Sequence, residues 1–325
     1  MRKMILEKAN WKPRRLVAGF LIIFIILLLL SKASHADLAT KLERLASTSE
    51  GRVGIAFIDL KTGWEMNING SQEFPAASVI KVPIMAAAYH LSESGKINLK
   101  QKILFKKSDK LGGAGVLQWA RTPNYYTLWN LIRLMIVLSD NTATRLVVQN
   151  IGRENINEYL QSIGLTRTAV VDSTMLKEPP SPYVNMTTPL DIAHLMAKIH
   201  NKEMLAFMRN QRYRWGIWRG VPAGTVVANK TGNLDGILND AGIIYTKKGN
   251  YVLSIFTWGF KKQRRARLLI NEISRAAYEE YTGEKVIRKK ITKRRLQRRP
   301  SAKLKQRSGR RGSVSGRKLR SSPRR

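Results

Sequence analysis

Cysteine is absent from the 325 residues and histidine occurs only four times. The first absence excludes disulfides, thiolate nucleophiles and thiolate metal sites. The second, with His35, His90, His194 and His200 scattered along the chain, argues against a structural metal site, so no cofactor is expected. Acidic residues are also scarce: 22 Asp and Glu stand against 58 Lys and Arg, a formal net charge of +36. No internal repeat is apparent, which sets solenoids and propellers aside. What is present is 43% hydrophobic residues, enough for one large domain or two lobes with appendages.

Both ends stand apart from the middle. Residues 1–36 read as a signal peptide or membrane anchor. Arg2, Lys3, Lys8, Lys12, Arg14 and Arg15 precede an uninterrupted apolar run from Leu16 to Leu30, and the small residues Ser34 and Ala36 sit at the place of a signal-peptidase site. The run is shorter than the ~20 residues that comfortably span a bilayer, so a cleaved signal is the first reading and a retained anchor the second. In either case the rest of the chain is exported, to the periplasm or another extracytoplasmic compartment. Residues 285–325 hold nineteen Lys or Arg and no Asp or Glu. Such a segment is expected to be disordered, and either to remain a solvated end or to attach electrostatically to an anionic envelope polymer or membrane surface. Nucleic acid suits the composition but sits badly with export.

Between the ends, residues 37–284 read as one folded domain. Leu38 to Leu45 has helical spacing, and Val53–Leu60 with Trp64–Ile68 reads as a hairpin around the turn "KTG" at Lys61 to Gly63. From Val82 to about Arg209 the pattern is helical, as in "LWNLIRLMIVL", "TATRLVVQNI" and "PLDIAHLMAKI". Strand character returns in "TVVANKTG", "AGIIYT" and "YVLSIFTWG", and "RARLLINEISRAAYEEY" closes the domain as an amphipathic helix. The order implies an α/β sandwich: an antiparallel sheet assembled from both chain ends and flanked by helices, with an all-helical lobe inserted.

Within that frame "FPAASVIKVP", residues 74–83, places Ser78 three residues before Lys81 at the start of an apolar run. On a helix this puts both on one face, where an amine could take a hydroxyl proton. Roughly one such spacing is expected by chance in a chain of this length, and Ser315 with Lys318 in the tail is a decoy. Two further motifs corroborate the first. Ser139, Asp140 and Asn141 form "SDN" at a helix boundary, where all three residue types also serve as caps. A second "KTG", Lys230 to Gly232, lies at the end of a late strand, whereas the first is only the hairpin turn.

These three motifs in this order, with "RVGIAFIDLKTG", "GAGVLQ", "SDNTAT" and "NKTGNLDG" around them, resemble the class A β-lactamases and their penicillin-binding relatives over about residues 37–284. The resemblance implies that Ser78 is the nucleophile that forms an acyl-enzyme with a lactam or D-alanyl peptide carbonyl, and that Lys81 is its base. Ser139 would relay a proton to the leaving nitrogen, and Asn141 would bind the substrate amide and steady Lys81. Lys230 and Thr231, with Gly232 beside them, would hold the substrate carboxylate. The backbone N–H groups of Ser78 and Asn233 would form the oxyanion hole.

The chain departs from the family pattern in two places. Glu178, followed by proline, stands where class A enzymes carry the loop glutamate that activates water, but the loop is short, and Pro182 occupies the place of the asparagine that helps hold the water. "ILNDAGIIY" also lacks the arginine that often grips the substrate carboxylate; Arg264, Arg265 and Arg267 are the candidates to replace it. The resulting expectation is an exported serine β-lactamase. The alternatives are a penicillin-binding D-alanyl-D-alanine peptidase, which needs every site residue except Glu178, and a non-catalytic cationic cell-wall binding module.

Overall fold

The computed structural model of the chain describes residues 36–174, 181 and 184–287. Described residues up to Val286 belong to one compact unit, and Ile287 falls outside it. Glu178, Pro182, the apolar run Leu16–Leu30 and the basic segment beyond Ile287 lie outside the described residues, so the expectations placed on them are not addressed by the fold. No helix among the described residues is long and apolar enough to cross a membrane.

Helix α1 (residues 36–47) leads into strands β1 (Arg52–Asp59) and β2 (Glu65–Ile68). The turn between the two strands contains the first "KTG": Gly63 has φ +75°, and Asp59 accepts hydrogen bonds from Lys61 N and Thr62 Oγ1. This is a structural turn, as expected. After β3 (Phe74–Pro75) the chain enters the insert with α2 (Lys81–Glu93). Strands β4 (Lys102–Phe105) and β5 (Asn124–Thr127) follow, then α3 (Leu128–Val137), α4 (Asn141–Ile151) and α5 (Arg153–Ser162). Strand β6 (Met186–Thr187), α6 (Pro189–Ala197) and α7 (Lys202–Arg209) lead back to β7 (Val226–Leu234), β8 (Ile237–Tyr245), β9 (Asn250–Trp258) and α8 (Gln263–Thr282).

The five-stranded sheet has the order β2-β1-β9-β8-β7 and is antiparallel at every junction, so both chain ends do build it. Its two faces bury separate cores. One core takes Leu38 and Leu42 of α1 with Ala266, Ile270, Ile273 and Ala277 of α8, residues three or four apart that form the inward stripe of each helix. The other joins Ala56, Val252 and Phe256 to the helical lobe through α2 and α6. Because both faces are covered, β1 is buried at every position after Arg52.

The insert is not helical throughout. Strands β4 and β5 pair as an antiparallel ribbon, and β3 pairs with β6. Strands of two to four residues carry too little alternation to stand out beside long helical periodicity, although β4 does alternate exposed and buried positions from Lys102 to Phe105. Pro83 is the third residue of α2, where its missing N–H costs no intrahelical bond.

Candidate active site

Ser78 lies in a 3₁₀ turn, Ala77–Ile80, that runs directly into α2. The residue before it, Ala77, has φ +45°, a left-handed conformation that costs an alanine about 1–2 kcal/mol. Ser78 is half-buried while its neighbours on both sides are buried. One helical turn inward, Lys81 is fully buried at 0% exposure. Its Nζ donates to Ser139 O at 2.7 Å, Asn141 Oδ1 at 2.8 Å and Ser139 Oγ at 3.2 Å. Ser139 is itself left-handed, with φ +55°, which turns its carbonyl toward Lys81 as the chain passes from α3 to α4.

The middle residue of the "SDN" motif is the structural one. Asp140 caps α4 by accepting from Ala143 N at 2.9 Å, and its other oxygen accepts from Val116 N at 2.6 Å and Leu117 N at 2.8 Å. The loop carrying "GAGVLQ" is thereby fastened to the motif. Gly115 is obligatory there: with φ +107°, a β-carbon would lie 2.2 Å from Asp140 Cγ. Asn141, also read as a possible cap residue, instead sends Oδ1 to Lys81 and Nδ2 to Gly112 O at 3.2 Å.

Lys230 enters from β7, the edge strand of the sheet, and is likewise fully buried. Its Nζ donates to Ser139 Oγ at 3.0 Å and to Thr231 O at 2.8 Å. One hydroxyl thus stands between two buried amines. Gly232 packs against the Ser78 turn so closely that a β-carbon would sit 3.0 Å from Ala77 Cβ and 3.2 Å from Ser78 N. Asn233 follows, exposed, with its Oδ1 accepting from Gln263 Nε2 at 3.0 Å. Ser78, Lys81, Ser139, Asn141, Lys230, Thr231, Gly232 and Asn233 are therefore brought to one seam between sheet and helical lobe.

Electrostatics follow from burial. Desolvation, then the charge of Lys230, pushes the Lys81 amine well below the ordinary lysine range, and Asp140 only partly opposes this. Burial also lowers Lys230, against the pull of Asp240. Asp240, buried in β8, is pushed upward by desolvation although it accepts from Asn229 Nδ2 and Ile217 N, both at 2.7 Å. No hydrogen bond joins Lys81 Nζ to Ser78 Oγ among the described residues. Catalytic contacts of this kind tighten when substrate is in place.

The three arginines expected to replace the missing one do not reach Thr231. Arg265 pairs with Glu50, Arg267 lies over the Trp215 ring at 5.6 Å, and Arg264 is exposed. The Thr231 hydroxyl instead donates to Gln211 Oε1 at 3.3 Å. Asp172, the other carboxylate ahead of this loop, has its oxygens engaged by Thr174 N and Oγ1, at 2.7–3.0 Å. Sequence reasoning passed over Gln211, Asn229, Asn239 and Asp240. Its available signal was the adjacent polar pair inside apolar "ILNDAGIIY", which was read only for the arginine it lacks.

A serine at a helix start, two buried lysines and a second serine between them, set at the seam of a sheet and a helical lobe, define the arrangement of a serine acyl-transfer enzyme. The model of the beta-lactamase enzyme family matches residues 37–281, and the chain belongs to that family. It is 28% identical over 262 residues to beta-lactamase CTX-M-8 of Citrobacter amalonaticus, covering 75% of this chain and 88% of that one. With beta-lactamase VEB-1 of Pseudomonas aeruginosa it shares 24% over 279 residues, covering 78% and 93%. Among solved structures, the beta-lactamase of Sphaerobacter thermophilus superposes with a TM-score of 0.70 at 30% identity, covering 77% of this chain and 98% of that one. A mutant of PBP-A, solved as an acyl-enzyme with penicillin G, superposes with a TM-score of 0.71 at 28% identity, covering 77% and 97%.

The raised Asp240 gives a pH signature. Its ordinary value is 3.8 and burial lifts it to about 7, so between these values the folded state holds a proton that the unfolded state releases. Stability from this group is full below pH 3.8 and is lost as pH rises through about 7. Urea unfolding from pH 4.5 to 8 should show wild type losing stability relative to Asp240→Asn as pH rises. A difference independent of pH would mean that Asp240 is not raised.

Proposed function

We propose that the chain is a serine β-lactamase of the class A type that acts through an acyl-enzyme on Ser78. The observation that carries this reading is the pair of buried amines, Lys81 and Lys230, both hydrogen-bonded to Ser139 Oγ beside Ser78. In the proposed cycle, neutral Lys81 takes the Ser78 Oγ proton as the oxygen attacks the lactam carbonyl. The oxyanion forms between the N–H groups of Ser78 and Asn233, an environment in which one donor is typically worth about 3–4 kcal/mol. As the C–N bond breaks, Ser139 Oγ gives its proton to the leaving nitrogen and is reprotonated from the Lys81 ammonium. Lys230 and Thr231 hold the substrate carboxylate, and Asn141 its side-chain amide. Glu178 then takes a proton from the water that attacks the ester carbonyl, and as the C–O bond breaks the departing Ser78 Oγ takes a proton through Lys81, which is replenished from Glu178.

A penicillin-binding peptidase is the second reading, favoured by Pro182 in place of the water-holding asparagine and by the likeness to PBP-A. Both readings share the acylation half. They part at Glu178, since a positioned base is typically worth 10² to 10⁴ in rate. We also assign export to the N-terminal apolar run, and to the basic tail an attachment to anionic envelope polymer.

Fluorescent penicillin should label wild-type protein at Ser78, and Ser78→Ala should abolish the label. In Glu178→Gln the acylation burst should survive while nitrocefin turnover slows and the adduct accumulates by intact mass. Labelling that persists in Ser78→Ala would refute the acyl-enzyme, and fast turnover by Glu178→Gln would refute the role of the glutamate. For the tail, binding of the full chain to anionic envelope polymer should fall steeply with salt and disappear on removing residues 285–325, with nitrocefin kinetics unchanged. Equal binding without those residues would leave the tail a solvated end.

A further inference from the structure

Two adjacent polar residues at the centre of a fully covered strand need partners, and Asn239 has unusual ones. It is buried in β8, directly across from Gly232 of β7. Its Nδ2 donates to Pro75 O at 2.8 Å and to Ala76 O at 3.2 Å, and its Oδ1 accepts from Thr257 N at 3.1 Å. Thr257 faces Leu238 across the β8–β9 pairing, yet its N–H turns to Asn239. The Thr257 hydroxyl serves Leu238 instead, donating to its carbonyl at 2.6 Å and accepting from its N–H at 3.2 Å. Asn239 is thus oriented by the sheet and aimed at the backbone that leads into Ser78.

What it grips is the strained part of that backbone. Ala76 N–H donates to Asn185 O at 2.8 Å, while Ala76 O accepts from Val79 N at 3.1 Å within its own turn and from Asn239 Nδ2 at 3.2 Å, so this residue's backbone is held from both sides and Asn239 is the hold that comes from the sheet. Fixing the Ala76 carbonyl fixes the peptide plane between Ala76 and Ala77. With that plane fixed, Ala77 keeps its φ of +45° and the following N–H, that of Ser78, keeps its direction beside Gly232. Without Asn239 the Ala76 carbonyl keeps only the Val79 bond of its own turn, a weaker hold against Ala77 relaxing toward the ordinary region for an L-residue and carrying the Ser78 N–H with it.

We infer that Asn239 is a positioning residue for acyl transfer: from the neighbouring strand it latches the Pro75 and Ala76 carbonyls and so aims the Ser78 N–H at the oxyanion. This rests on the acyl-enzyme reading of Ser78. The latch would serve both halves of the reaction, because an oxyanion forms on making and on hydrolysing the ester. It touches no substrate, so it should leave the noncovalent complex alone.

The test uses full-length protein, with concentrations corrected for folded fraction by the melting transition. Asn239→Ala should lower the acylation rate constant at saturating fluorescent penicillin by about 10²-fold, the scale of losing an oxyanion donor, with the dissociation constant of the initial complex within about twofold. Adding Ala77→Gly should restore at least about tenfold of that loss, because glycine occupies positive φ without strain. Asn239→Asp offers a second route should the alanine variant not fold. Its carboxylate cannot donate, so acylation relative to wild type should recover toward low pH as the carboxyl gains a proton. Equal acylation by wild type and Asn239→Ala, or a loss that Ala77→Gly leaves untouched, would overturn the latch, as would a flat pH ratio for Asn239→Asp. Absence of acylation in wild type would instead overturn the reading of Ser78 itself.

Discussion

Two lysine side chains buried within reach of one serine hydroxyl are the constraint around which the domain is arranged. Removing an ammonium from water is costly, and removing two beside one another is more so. The protein meets that cost with polar atoms that must be placed accurately: the Ser139 carbonyl, the Ser139 hydroxyl and Asn141 for Lys81, and the same hydroxyl with the Thr231 carbonyl for Lys230. The cost that remains appears as lowered proton affinity of both amines. A neutral amine next to a serine is a base, so the energetic burden of the site and its chemistry have the same origin.

The fold serves this constraint by bringing together residues that are far apart in sequence. Lys81 comes from the first helix of the insert, Ser139 from the junction of α3 and α4, and Lys230 from the edge strand β7. Asp140 locks the second of these by capping α4 and tying down the loop at Val116 and Leu117 with a single carboxylate. Glycine at position 232 lets the edge strand approach the Ser78 turn. Two residues at the site are left-handed without being glycine: Ser139, whose carbonyl accepts from Lys81, and Ala77, which directly precedes the Ser78 N–H.

Most of the large architecture was legible because it rests on local patterning. Apolar spacing along α3, α4, α6 and α8 and the late strand run specified elements, and motif order placed Ser78, Lys81, Ser139 and Lys230 together. The β4–β5 ribbon was not legible, being four residues on each side within a helical stretch. Asn239 was missed for a different reason. Its partner Pro75 lies 164 residues away, so nothing in the local sequence tells a structural asparagine from a loop residue. Within "SDN" the three residues look alike as caps, and only tertiary contacts separate Asp140, which caps, from Ser139 and Asn141, which turn to Lys81. The missing arginine was read correctly as missing, but of its expected substitutes Arg265 and Arg267 are engaged with Glu50 and Trp215, and Arg264 is exposed.

The claim on which the account depends is that Lys81 is available as a neutral base near physiological pH. Titration of ¹³C-labelled lysine side chains by NMR, with Lys81 assigned by the loss of its signal in Lys81→Ala, measures this directly. The account predicts that Lys81 titrates well below the ordinary value of 10.5, and that it moves back upward in Lys230→Ala, where the neighbouring positive charge is gone. A Lys81 signal that titrates with the surface lysines, or one that does not respond to the loss of Lys230, would contradict it.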